Sequence, residues 1–231
     1  MPTVVDVSGF LVAAAHLFLG AVCAVCGAPG WGACSTCREA VEGAVPHEVY
    51  RAGLGIPLIA ANDYRPQLEK LVPVFKDDGA LQLSPLLSRR LAVAIWCLDV
   101  PVGTCLVPVP SLTSAVRRRG MDHGAMLAAS ASRRLNMPWK ALLRRDLRGL
   151  DQRGLGAAGR QLNVAGSMRA RGRPGAVVII DDVCTTGASL TEATRALKVA
   201  GATVLGGAVI GDADRDSDTP STDFHPGGSR S

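Results

Sequence analysis

The chain has 231 residues, 48% of them hydrophobic and 4% aromatic, with a formal net charge of +5. That apolar share excludes a chain without a core, and the length suits one α/β domain with a small appendage. The charge is uneven: residues 100–175 hold fourteen Lys and Arg against three acids, while residues 176–231 hold four against eight. Such a basic middle suits polyanionic ligands, whether pyrophosphate groups, nucleic acid or both, although it also serves solubility.

The apolar stretch from Gly9 to Val25 carries His16 and is preceded by no basic residue, the first being Arg38. A signal peptide needs a positive start. The stretch also runs straight into cysteines, so residues 5–22 read as a short helix packed on the protein, with no membrane insertion. Without a secretory signal the chain is expected in the cytoplasm.

Cys23-Ala-Val-Cys26 and Cys34-Ser-Thr-Cys37 follow. Each Cys-x-x-Cys pair can aim two thiolates at one metal, and tetrahedral Zn²⁺ takes four. A closed four-thiolate site of this kind is structural. Another metal in the same cage, or a disulfide, are the alternatives, the latter weaker in a cytosolic protein. Cys97 and Cys105 read as core fillers. The four histidines stand at no metal-ligand spacing.

The segment from Tyr64 to Phe75 has apolar residues near helical spacing despite Pro73, and Pro85 to Leu98 repeats the pattern. Cys105 to Pro110 reads as a buried strand, Ser111 to Gly120 as a basic loop, and residues 123–136 as a helix stopped by Asn136 and Pro138. Residues 144–161, rich in Arg and Gly, read as a long mobile loop. Past Gly211 the Asp, Ser, Pro and Gly content predicts a disordered tail.

Four apolar residues, Val177 to Ile180, read as a buried parallel strand. The carboxylates Asp181 and Asp182 come next, then Cys184, Thr185, Thr186, Gly187, Ala188 and Ser189 at the start of an amphipathic helix. An isolated acid pair could simply cap that helix. The whole run fits a phosphorylated sugar better. Two carboxylates can accept hydrogen bonds from neighbouring ribose hydroxyls, directly or through a cation such as Mg²⁺. The amides and hydroxyls from Thr185 to Ser189 can wrap a phosphate monoester at the positive end of the helix, with Gly187 permitting close approach. A thiol at Cys184 could be acidified there, but the position also reads as merely tolerant. The helix over 189–200, stopped by Gly201, and a strand over 203–210 complete a βαβ unit.

The run from Val177 to Leu190 resembles the 5-phosphoribosyl-pyrophosphate (PRPP) motif of type I phosphoribosyltransferases. The order of parts resembles the ComF/GntX family: a cysteine quartet, Val107-Pro108-Val109-Pro110, Arg117-Arg118-Arg119-Gly120, Gln152 to Leu155 with Arg160 and Asn163, and the PRPP motif last. That family usually continues its Arg-Gly with Phe-Asn-Gln, where this chain has Met121-Asp122-His123.

The resemblance implies a type I phosphoribosyltransferase-like parallel sheet flanked by helices, over residues 46–211. A small N-terminal zinc module would occupy residues 1–45, and the tail residues 212–231. It also implies structural Zn²⁺ on Cys23, Cys26, Cys34 and Cys37, and Mg²⁺ arriving with PRPP. Asp181, Asp182, Thr185, Thr186, Gly187, Ala188 and Ser189 would bind the ligand. Arg117, Arg118 and Arg119, beside a pyrophosphate loop at Pro110 to Arg117, would stabilise the leaving group. The 144–161 loop would close over the site. The implied role is single-stranded DNA handling in DNA uptake or recombination, as in competence, with single-stranded DNA and other uptake proteins as partners. An active phosphoribosyltransferase of base or nucleotide salvage and a non-catalytic ligand sensor are the rival readings.

Overall fold

In strands, successive side chains point to opposite faces, and that alternation organises this molecule. The computed structural model describes residues 21–145, 165–172 and 174–214. In chain order these form α1 (Ser35–Glu42), β1 (His47–Glu48), β2 (Leu58–Asp63), α2 (Leu68–Asp77), α3 (Ser84–Cys97), β3 (Cys105–Pro108), α4 (Thr113–Arg119), α5 (His123–Leu135), β4 (Leu143–Arg145), β5 (Met168–Ala170), β6 (Ala176–Cys184), α6 (Ala188–Val199) and β7 (Thr203–Asp212). Five strands make one sheet in the order β1-β2-β7-β6-β3. The pairs β2–β7, β7–β6 and β6–β3 are parallel; β1 adds an antiparallel edge. β4 and β5 pair separately as an antiparallel ribbon.

Val178 and Ile180 of β6, with Ile59, Ala61, Leu106 and Ile210 of its neighbours, face a core shared with α2, α3 and α5. Val177 and Ile179, with Leu58, Ala60, Val107 and Val209, face a second core beneath α6 and the ribbon. Both faces are covered, which is why these strands are apolar throughout. β6, α6 and β7 form the expected βαβ unit.

Cys23, Ala33 and Val41 belong to the first core, so the cysteine segment packs into the main body. Arg90 of α3 strengthens that junction. Its guanidinium, 5% exposed, donates to Asn62 Oδ1 (2.8 Å) and to the carbonyl oxygens of Glu42 (2.9 Å), Ala44 (2.6 Å) and Ala61. Asn62 Nδ2 in turn donates to the Val41 carbonyl (2.8 Å).

Several local expectations change. Ser111 to Gly120 is not simply a loop, because Thr113–Arg119 turns as helix and ends on Gly120 in the left-handed region (φ 75°). Residues 144 and 145 belong to a strand, not a loop. β2, β4 and β5 carry too few residues or too little alternation to stand out in the sequence. β7 extends to Asp212, which is buried. The N-terminal helix expected over residues 5–22, apart from its last two positions, the loop beyond Arg145 with Gln152 to Leu155, Arg160 and Asn163, and the tail beyond Asp214 lie outside the described residues. Among the described residues no helix is long and apolar enough to cross a membrane.

Candidate functional site

The C-terminal ends of β3 and β6 border a cleft of about 260 Å³. Pro110, Ser111 and Leu112 form one wall; Lys76, Arg119 and Arg145 bring three cations; His123, Asp181 and Asp182 complete it. Asp182 forms an ion pair with Lys76 at the end of α2. Burial alone would lower the Lys76 pKa, but the Asp182 carboxylate outweighs it and keeps the ammonium charged. Asp181 has the opposite fate. Burial first, and the charge of Asp182 second, push its carboxyl up to about 7. The two adjacent acids therefore differ in setting: Asp182 sits on a lysine, while burial and the neighbouring carboxylate bias Asp181 toward its protonated form. Arg145 lies on the Asp181 side, where its Nε donates to the Pro110 carbonyl at 3.0 Å.

Beyond the acids the chain passes Cys184 and turns into α6. Thr185 and Thr186 are exposed, and Gly187 at φ 76° is the N-cap residue; it offers no side chain to the helix start, where the Thr186 Oγ1 accepts from the Ala188 amide at 3.4 Å. Arg51, in the turn between β1 and β2, lies across this loop. Its Nε donates to the Thr185 carbonyl (2.7 Å), and another nitrogen binds Asp212 at the end of β7. A Cβ on Gly187 would meet the Arg51 stem at 3.0–3.1 Å. Gly187 is thus required by its positive φ and by the arginine laid over it. Burial would raise the Asp212 pKa, but His47 and Arg51 outweigh it and hold the carboxyl below its usual range. The His47 Nε2 lies 3.7 Å from Asp212 and 3.8 Å from Asp63. Cys184 is buried, which pushes its thiol up to about 11, so the helix start does not acidify it.

Of the three consecutive arginines, Arg119 lines the cleft. Its Nε (3.0 Å) and Nη2 (2.7 Å) donate to Asp77 Oδ1. Arg118 reaches the same oxygen at 3.4 Å, and both Arg117 and Arg118 are exposed. The helical turn explains the split, since neighbours in an α-helix point about 100° apart. Of the three arginines expected beside a leaving group, Arg119 is the one that lines this cleft. Lys76, Arg51 and Asp212 went unnoticed in the sequence, because each reaches the site from a remote element, and His123 stood out only as a departure after the Arg-Gly. Arg145 was visible only as half of an arginine pair.

The four N-terminal cysteines form a second centre. Their sulfurs lie within 4.8 Å of one another, with Cys26 and Cys34 3.7 Å apart, and all seven cysteines are free thiols. Cys23 and Cys26 sit on a tight turn closed by the Gly27 amide on the Cys23 carbonyl (2.9 Å). Cys34 caps α1 and Cys37 lies in its first turn, so this pair converges through helical i, i+3 spacing. Burial disfavours the Cys23 thiolate, but backbone amides of Cys34, Cys26 and Val25 outweigh it and bring the thiol down to about 6. Burial and the neighbouring sulfurs push Cys37 the other way. Four converging sulfurs, one already favouring the thiolate, fit a tetrahedral metal ion.

The fold and site define a parallel α/β protein with an acid pair, a helix start and a cationic cleft at the strand ends, plus a four-cysteine cluster. A phosphoribosyl transferase domain model matches residues 121–226. The chain is 34% identical over 151 residues to adenine phosphoribosyltransferase of Mycobacterium marinum (strain ATCC BAA-535 / M), covering 62% of this chain and 70% of the relative. It is 26% identical over 193 residues to the DNA utilization protein YhgH of Escherichia coli (strain K12), covering 80% and 81%. Among solved structures, adenine phosphoribosyltransferase from Leishmania tarentolae aligns with 13% identity and a TM-score of 0.40, over 72% of this chain and 95% of that one. The chain belongs to the phosphoribosyltransferase family.

Proposed function

We propose that this cleft binds PRPP, or a closely related phosphoribosyl compound, within a protein of the ComF/GntX type that handles single-stranded DNA. The observation carrying this reading is the position of Asp181 and Asp182 between two anion-friendly places. On one side is the start of α6, with Gly187 at its N-cap and Thr185, Thr186, Ala188 and Ser189 around it. On the other is the cleft with Lys76, Arg119 and Arg145. The 5-phosphate occupies the first, the ribose hydroxyls the acid pair, and the pyrophosphate the cationic cleft, with Mg²⁺ brought in on the pyrophosphate oxygens. Zn²⁺ on the four cysteines serves as a structural ion.

The DNA role rests on exposed Arg117 and Arg118 beside the cleft, on the basic excess of residues 100–175, and on the likeness to a DNA utilization protein. In this reading the protein is cytoplasmic and acts with other DNA-uptake proteins. Titration with PRPP·Mg²⁺, and separately with a single-stranded oligonucleotide at two salt concentrations, tests both halves. Absence of PRPP binding removes the first; absence of salt-dependent oligonucleotide affinity removes the second.

A salvage enzyme is the second reading, favoured by the 34% identity to an adenine phosphoribosyltransferase. There an acceptor nitrogen bonds to the anomeric carbon as its bond to pyrophosphate oxygen breaks, and the electron pair leaves with pyrophosphate. Arg119 and Arg145 stand where that charge develops. Pyrophosphate release on adding a free base distinguishes this reading.

A further inference from the structure

His123 opens α5 and forms part of the cleft wall, yet it is only 3% exposed and neither ring nitrogen has a hydrogen-bond partner in the protein. Its ring meets Phe75 edge-on, with centroids 4.8 Å apart and planes at 81°, which fixes the imidazole from its apolar side. A buried imidazole with both nitrogens unpaired is costly, and the cost is recovered when a ligand supplies the missing partner. The charged groups around it are Lys76 from α2, Arg119 from α4, its neighbour Asp122, Asp181 and Asp182 from β6, and Arg145 from β4. Lys76 is matched by Asp182 and Arg119 by Asp77.

We propose that His123 is a ligand-facing proton acceptor: when a diphosphate anion enters the cleft, the imidazole takes a proton from solvent and becomes a further cation against it. This deepens the reading of the cleft as a pyrophosphate site and rests on that reading. Without the anion, burial foremost, then Arg119 and Lys76, disfavour the imidazolium. A multiply charged diphosphate reverses that balance, because opposite charge at short range favours the protonated form. Such a group makes affinity rise as pH falls through the bound-state pKa, and makes binding take up protons. Since pyrophosphate also titrates, the informative quantity is the difference between wild type and a variant in the same buffer.

The test is calorimetry with inorganic pyrophosphate in two buffers of different ionisation enthalpy, on the full chain and on His123→Gln, which keeps hydrogen bonding without titrating. Near pH 6.5 the wild type should take up more protons than the variant, by up to about one per site. Between pH 6 and 8 its affinity should fall by roughly an extra factor of ten. Equal proton uptake in two proteins that both bind pyrophosphate overturns the proposal and leaves the cleft assignment standing. Failure of wild type to bind either pyrophosphate or PRPP removes the cleft assignment, and this proposal with it. Should His123→Gln not fold, the NMR titration of the His123 ring in wild type decides. Its midpoint should move up with pyrophosphate, and an unmoved midpoint refutes the idea.

Discussion

Arg51 and Thr185, 134 positions apart in the chain, are joined by a 2.7 Å hydrogen bond from the guanidinium Nε to the backbone carbonyl. The bond turns that carbonyl toward Arg51 and offsets its negative end, beside a loop proposed to receive an anion. Arg51→Ala should therefore weaken binding of ribose 5-phosphate by about tenfold, on the order of 1.4 kcal/mol. Pyrophosphate, assigned to the other end of the cleft, should bind as before. Calorimetry with the two ligands separates these effects, and parallel losses for both would point to general loosening instead.

Asp181 carries a pH prediction. Its folded-state carboxyl is raised from 3.8 to about 7, so the native state binds more protons than the unfolded chain between those values. Stability should then fall as pH rises from about 4 to about 7 and lose this slope above that. Asp181→Asn should flatten the slope and raise the melting temperature near neutral pH, while PRPP affinity drops sharply. Thermal unfolding across that pH range checks the first part. An unchanged slope in the variant would mean that other groups produce it.

Arg90 should be among the least replaceable residues of the body. Arg90→Ala strands three backbone carbonyls and Asn62, and each buried acceptor left without a partner costs roughly 1–3 kcal/mol. Arg90→Lys should recover little, because one ammonium cannot reproduce a fork that reaches four acceptors. Denaturant midpoints of the two variants provide the comparison.

Protein purified under reducing conditions should hold about one zinc ion per chain, with metal binding contributing directly to folding. Cys23→Ser should lose that metal. Because Cys23 and Val41 lie in the same core as Leu87 and Ile180, chelation should lower the melting temperature of the whole body. Elemental analysis finding no bound metal would remove the assignment.

The arginines of α4 divide the two proposed ligands. Arg117→Ala with Arg118→Ala should reduce the log–log salt slope of oligonucleotide binding by roughly 0.7 per lost phosphate contact. PRPP binding should hardly change. Arg119→Ala should weaken PRPP instead, since Arg119 lines the cleft.

The elements legible in the sequence were α2, α3 and α5, by their sustained periodicity, the apolar run of β3 and the β6–α6–β7 unit. β2 escaped because Leu-Ile-Ala-Ala-Asn-Asp is short and its burial on both faces leaves no alternation to read. The Asp181 to Ser189 run was readable because its chemistry is contiguous. Of the cations only Arg119 was, as one of three arginines beside the expected pyrophosphate loop: Lys76 and Arg145 lie on other elements, and only the fold brings the three to one place. For His123, an isolated histidine at a helix start gives no sequence sign that its ring is buried beside a cleft.

Adjacent residues of β6 project to opposite faces, and this makes Asp181 and Asp182 handed rather than interchangeable. Asp182 leans to the side of Phe75 and Lys76; Asp181 leans to the side of Arg145. A one-residue insertion ahead of them would preserve every side chain in the motif. It would nonetheless turn each carboxylate to the opposite face, setting the other one toward the lysine. Spacing along this strand therefore encodes which acid meets the lysine, and a comparison of related chains by motif composition alone would miss the change.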